Sequence, residues 1–207
     1  MKPKLKLISF SALLLLVANL IATPLEPFTM DQDDVTSIAY AEEPYRLIAS
    51  KDLHGRTIEL DDGSIWSVQG IESQNHASRW RTNDSIVIHP TLFPLWSGTQ
   101  FYLYNRRTKT SANAQLSANP YANTPSHVVI NYIDYVRGDL HIISGDGRNV
   151  YCRINPKFYT ELSRWRVGNT IIIGSNQDCY AGWFSEYPYI LINVDRKNLG
   201  FAEAVFE

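Results

Sequence analysis

Cys152 and Cys179 are the only two cysteines in the 207-residue chain, and they offer two chemistries. A thiolate with His141 beside it would form a nucleophile–base pair. In an exported protein, an even pair within one small domain reads instead as a disulfide, and that is the expectation for Cys152 and Cys179. Such a bridge would close a loop of about 26 residues and contribute about 3 kcal/mol if unstrained. The other reactive residue types do not assemble. His54, His76, His89, His127 and His141 show no metal-ligand spacing and no H-E-x-x-H. There is no G-x-S-x-G elbow and no glycine loop fit to cradle phosphate. Beyond residue 41, adjacent acids occur at Glu42-Glu43 and Asp61-Asp62, and the second pair precedes Gly63 as a hairpin turn does. No catalytic residue, metal or cofactor is therefore assigned.

Side chains suited to binding are easier to find. Trp96 lies in "PTLFPLWSGTQF" and Trp183 in "NQDCYAGWFSEYPY", two loop-like stretches rich in aromatics and proline. Exposed rings near a barrel mouth can stack on sugars or grip a peptide, and capping of the barrel is the competing use. Arg79, Arg81, Arg164 and Arg166 flank two further tryptophans and are candidates for a shared anion site, against the ordinary reading of surface arginine. Basic turns recur at residues 106–109 and 195–197 and read as solvated hairpin turns.

The elements that must carry these residues are announced by a repeat. "SRWRTNDSIVI" at residues 78–88 returns as "SRWRVGNTIII" at residues 163–173, an offset of 85. At that offset Asp61 meets Asp146 and Trp66 meets Tyr151. Farther on the offset becomes 88, matching Leu103 with Leu191, Asn105 with Asn193 and Ala114 with Ala202, so three residues are inserted between Ile173 and Tyr189. Matches sustained in register over this length indicate an internal duplication. The uncharged "SANPYANTPS", residues 117–126, separates the copies as a linker. The first unit is thus 45–116 and the second 127–207, each near the lower limit for an independent core.

Each unit reads as five short strands. "RTIELDDGSIWSV" and "DLHIISGDGRNVYCRI" are hairpins turning at Asp-Gly. Residues 85–89 and 170–174, "FYLYN" and "YILIN", and "SANAQL" and "GFAEAVF" supply the rest. Weak helical signal occurs only at residues 73–81 and 156–166. The fold expected is all-β: two tandem five-stranded barrel-like units of SH3-like or OB-like type. Trp80 and Trp165 would plug the barrels, and the flanking arginines would face outward or pair with Asp61 and Asp146. The pattern L-x-D-G-S-x-W-x-V followed by W-x-x-x-D-x-I-x-I, residues 60–88, resembles uncharacterised exported bacterial proteins with small β-domains. That resemblance implies a hairpin and a plug and brings no catalytic residue with it.

Lys2, Lys4 and Lys6 ahead of a mostly apolar stretch, residues 7–22, read as a secretory signal. It is cut after Ala41 or kept as an N-terminal anchor, the only membrane contact expected. Residues 1–41 hold three lysines and four acids, leaving 16 basic and 17 acidic side chains of the chain's 19 and 21. A net charge near neutrality supplies no basic excess for phosphates, which disfavours nucleic acid. The function expected is that of an exported, periplasmic or cell-envelope binding or structural protein, not an enzyme, contacting another envelope protein or a polysaccharide. The alternatives are an envelope-directed hydrolase with its site between the two units, and a plain spacer.

Overall fold

The computed structural model describes residues 44–91, 100–122, 124–177, 185–196 and 199–207. The expected export signal lies outside them. Two closed antiparallel barrels follow one another along the chain. The first comprises β1 (Arg46–Lys51), β2 (Thr57–Leu60), β3 (Ile65–Val68), β4 (Ser85–Pro90), β5 (Phe101–Asn105) and β6 (Thr110–Ala118), in the ring order β1-β2-β3-β6-β5-β4. The second comprises β7 (Val128–Asp134), β8 (Asp139–Ser144), β9 (Asn149–Ile154), β10 (Thr170–Ser175), β11 (Tyr189–Asn193) and β12 (Gly200–Phe206), with the same ring order. Alternation drives them. Ile58, Leu60, Trp66 and Val68 point into the first barrel, and Leu140, Ile142, Val150, Cys152 and Ile154 into the second.

Six strands per barrel replace the five expected. The uncounted strand is the first of each copy, and it closes the ring by pairing with both neighbours. Each first strand carries a bulge, between Ile48 and Ser50 in β1 and between Ile130 and Tyr132 in β7. The extra residue breaks the period of two and lets one short strand bend from one partner to the other. The weak helical signals become α1 (Ile71–Ser78), then a 3-10 turn (Pro156–Phe158) running into α2 (Tyr159–Leu162).

The register of the repeat also differs from identity matching. Ile58 faces Trp66 as Leu140 faces Cys152, so Cys152 takes the place of Trp66. Tyr151, matched to Trp66 by sequence, is 59% exposed on the outer face while Trp66 is fully buried. A slip of one residue exchanges the two faces of a strand. Likewise Leu103 pairs with Ala112 and Leu191 with Ala202, so the counterpart of Ala114 is Ala204. The small Cys152 is offset by Phe206 beside it, where Trp66 has Leu116.

The barrels share apolar packing. Ile171 and Ile173 of β10 belong to the second core, whereas Ile172, with Ile190, Ile192 and Val194, packs with the first. Both faces of β10 and β11 are therefore buried, which explains the unbroken apolar runs TIII and YILIN. The linker is structured as well. β6 runs through Ala118, Tyr121 N–H donates to Asp62 O at 2.9 Å, and Thr124 O lies so close to Gly145 that a Cβ there would collide with it.

Candidate functional site

The repeated SRWR stretch builds a barrel end. Trp80 and Trp165 are buried, 2% and 0% exposed, Trp80 in the first core and Trp165 in the second. Trp80 Nε1 donates to Thr110 Oγ1 at 2.9 Å and Trp165 Nε1 to Glu161 Oε1 at 3.3 Å. The backbone then turns through a positive φ at Asn83 (67°) and at its counterpart Gly168 (86°). Asp84 Oδ2 accepts from Arg81 N–H at 2.8 Å, and Asn169 Oδ1 accepts from Arg166 N–H at 2.9 Å. The matched buried asparagines complete the lock: Asn105 Nδ2 donates to Asp84 at 2.7 Å and Asn193 Nδ2 to Asn169 at 2.9 Å.

Arg79, Arg81, Arg164 and Arg166 are all exposed. Arg164 reaches Glu161 at 3.4 Å, and Arg166 Nη1 donates to the carbonyls of Ser163 and Trp165 at 3.0 and 2.7 Å. Asp61 and Asp146 are not their partners among the interactions seen here. Asp146 pairs with Arg148 at 2.7 Å. The basic turn after β5 is not merely solvated either. Arg107 grips Asp84 with Nε at 2.5 Å and Nη2 at 2.8 Å. The Arg107 guanidinium, helped by the Arg81 N–H and Asn105, holds the Asp84 carboxyl down at about 2, against the desolvation that opposes ionisation.

A depressed folded-state pKa stabilises the fold above the unfolded value of 3.8, and the contribution disappears as pH falls towards 2. The expected size at pH 7 is about 2 kcal/mol. The second barrel already carries Asn at this position. Asp84→Asn is therefore expected to lower stability by about 2 kcal/mol at pH 7 and by almost nothing near pH 2. Urea denaturation of both proteins across that range tests it, and a pH-independent difference would reject the pairing.

Cys152 is free among the described residues, 2% exposed, with Sγ donating to Leu140 O at 3.6 Å. Burial pushes its thiol far up, with smaller contributions from Glu207 and Asp139. His141 projects from the opposite face of the sheet, so the two do not form a nucleophile–base pair. Cys179, Trp96 and Trp183 lie outside the described residues. Among the described residues, no group of three or more His, Cys, Asp or Glu is arranged to hold a metal ion.

Where the barrels meet, β4 lies against its counterpart β10. The contact is largely apolar, with Val87, Ile172, Ile190 and Ile192 buried. The exception is His89, 2% exposed, whose Nδ1–H donates to Ser175 O at 3.0 Å and whose ring stacks on Tyr102 at 5.0 Å.

The outer face of β7–β9 is different in kind. Tyr132 pairs with His141 and His141 with Tyr151, giving a row of three rings across three strands. Tyr132 and Tyr151 are 56% and 59% exposed. The His141 and Tyr151 rings stack 4.3 Å apart at 3°. Asn131 Nδ2 donates to His141 Nδ1 at 3.1 Å, and His141 Nε2 is buried without a partner. Beside the row, Arg153 bonds Asp139 at 3.0 Å and Glu207 at 2.8 Å, so the charges there are satisfied among themselves. At the matching strand positions the first barrel has Ser50 and Glu59, joined by a 2.8 Å hydrogen bond, and Ile65. Sequence reading missed this face because it needs the strand register. Its signal was the placement of Tyr, Ile and His at outward positions around the Gly145-Asp146-Gly147 turn.

Fold and face together define a class: two tandem six-stranded antiparallel barrels sharing an apolar contact, with an aromatic outer face on the second. No protein family, no curated protein and no solved structure matches the chain.

Proposed function

We propose that this protein is an exported, non-enzymatic binding or structural component of the cell envelope that contacts another envelope protein or a polysaccharide. The observation that carries this reading is the exposed Tyr132–His141–Tyr151 row of rings, whose counterparts on the first barrel are the non-aromatic Ser50, Glu59 and Ile65. Exposed aromatic surface of this sort is retained where it meets a partner. The export signal in residues 1–41 supplies the compartment. The SH3-like or OB-like type fits one feature, a first strand shared between the second and fourth, with a short helix between the third and fourth. The apolar content of the β4–β10 contact favours binding over a hydrolase seated between the barrels.

Co-sedimentation of residues 42–207, which contain both barrels whole, with isolated envelope material tests the proposal. Retention on protein-stripped glycan would indicate a polysaccharide, and retention only on unstripped material a protein partner. Absence of retention on both would overturn the binding reading.

A further inference from the structure

Four large aliphatic side chains are exposed among the described residues: Leu53 (89%), Ile71 (80%), Val136 (87%) and Val167 (61%). None lies on a strand. Leu53 is in the β1–β2 turn, Ile71 opens α1, Val136 is in the β7–β8 turn, and Val167 is in the turn before β10. In each barrel the first turn meets the SRWR stretch, through Lys51 Nζ donating to Ser78 O at 3.0 Å and the Tyr135 hydroxyl donating to Trp165 O at 2.9 Å. Apolar residues scattered singly over a surface need no explanation, but confinement to one kind of place does.

On the first barrel that place is fixed and basic. Asp52 accepts N–H from Thr57 at 2.8 Å and from His54 at 3.2 Å, which locks the turn carrying Leu53. Gly55 lies so close to Gln74 and Ser78 that a Cβ there would collide with the α1 backbone. Ile71 shares one stripe of α1 with Gln74 and Ser78. The β5–β6 turn joins the same end, where Arg107 grips Asp84 and Arg106 N–H donates to Ser85 O at 3.0 Å. Of the basic residues in 45–118 only Arg46 lies elsewhere, paired with Asp62. Seven basic side chains thus share this end with three acids, Asp52, Glu72 and Asp84. Among the described residues, the exposed Arg56, Arg79 and Arg81 guanidinium groups have no acid or hydrogen-bond partner.

We propose that this end of the first barrel seats on the surface of an anionic phospholipid bilayer, with Leu53 and Ile71 entering the boundary between headgroups and acyl chains and the arginines meeting lipid phosphates. Charge complementarity selects an anionic surface, and a guanidinium matches phosphate as a forked donor. The aliphatic tips select lipid among anionic partners. They stand out from turn and helix, so a fluid surface can receive them, whereas a glycan offers no apolar interior and a helical peptide needs a groove. The second barrel presents Val136 and Val167 but has fewer unpaired charges. Arg164 and Arg196 share Glu161, and Arg166 donates to the carbonyls of Ser163 and Trp165. The inference adds a lipid contact to the envelope reading and stands apart from it, since bare vesicles hold neither glycan nor a second protein.

The test is flotation of residues 42–207 with phospholipid vesicles. Residues 1–41 are left off because their apolar stretch would bind lipid by itself, and both barrels close without them. Capture is expected by vesicles of phosphatidylglycerol and phosphatidylcholine in equal parts at about 0.1 M salt, but not at about 1 M salt and not by pure phosphatidylcholine. Partitioning is expected to fall about tenfold in Leu53→Ser/Ile71→Ser and in Arg79→Gln/Arg81→Gln, all at exposed positions, with the unfolding temperature unchanged. Val136→Ser is expected to bind as the wild type does. No capture by the anionic vesicles would overturn the proposal, as would equal capture by neutral ones. So would a loss in Val136→Ser as large as in Leu53→Ser/Ile71→Ser, which would move the contact to the second barrel. Binding of soluble dextran sulfate as tight as that of vesicles, and indifferent to Leu53→Ser/Ile71→Ser, would show a site for polyanions and reject the bilayer. Retention on envelope glycan or protein without vesicle capture would keep the binding reading and reject this surface, and vesicle capture without such retention would do the reverse.

Discussion

Trp165→Ala is expected to destabilise the second barrel by about 3–5 kcal/mol, the usual cost of emptying a large aromatic site in a core. Trp165 is fully buried and belongs to the second core with Val128, Leu162, Ile171 and Leu191. Small domains have total stabilities of roughly 5–15 kcal/mol, so a loss of this size takes a large share. Trp80→Ala is expected to be comparable, since Trp80 is 2% exposed in the same place. The Phe variants separate packing from hydrogen bonding. Trp80→Phe removes a 2.9 Å bond to Thr110, whereas Trp165→Phe removes a longer 3.3 Å bond to Glu161. The first is expected to cost more, by about 1 kcal/mol. Chemical denaturation followed by circular dichroism measures all four. A loss below about 1 kcal/mol for either Ala variant would show that its tryptophan is not a plug.

The motif containing these tryptophans was legible because its signals are local. Residues 78–88 and 163–173 carry the plug, a turn residue able to take positive φ, and a capping Asp or Asn within eleven positions. The hairpins were legible for the same reason, through Asp-Gly turns. What failed depended on register. β1 and β7 carry bulges that break the alternation, and neither begins with a turn signal that sets it off. Matching Trp66 with Tyr151 put a buried core residue opposite an exposed one, because the β8–β9 hairpin holds four more residues than β2–β3. The candidate face went unseen for that reason, since its residues read as unremarkable until Tyr151 is known to point outward. The unbroken run of three isoleucines in β10 did signal burial on two faces, and only the neighbouring barrel explains it.

Gly174→Val is expected to have the other large effect, and to act on both barrels at once. Gly174 has no unusual backbone conformation to require glycine; it is small because the barrels meet there. A Cβ at this position would lie 2.5 Å from Ile88 O and 2.9 Å from Ile190 Cγ1. The Ile190 side chain can rotate, but the Ile88 carbonyl belongs to the β4 backbone and moves only with its barrel. The next residue, Ser175, accepts the His89 hydrogen bond across the same contact, so displacement breaks a buried hydrogen bond between the barrels. Overpacking alone costs about 1–3 kcal/mol, and separation would add exposure of Ile172, Ile190 and Ile192. Gly174→Ala is expected to lower stability by about 1–3 kcal/mol with one cooperative transition retained. Gly174→Val is expected to split unfolding into two transitions and to enlarge the radius of gyration in solution scattering, because each barrel keeps its own closed ring but loses its neighbour. One sharp transition at the wild-type temperature for Gly174→Val would mean that the barrels are not coupled through β4 and β10. The duplication would then have joined two independent domains, not one fold whose second half completes the apolar packing of the first.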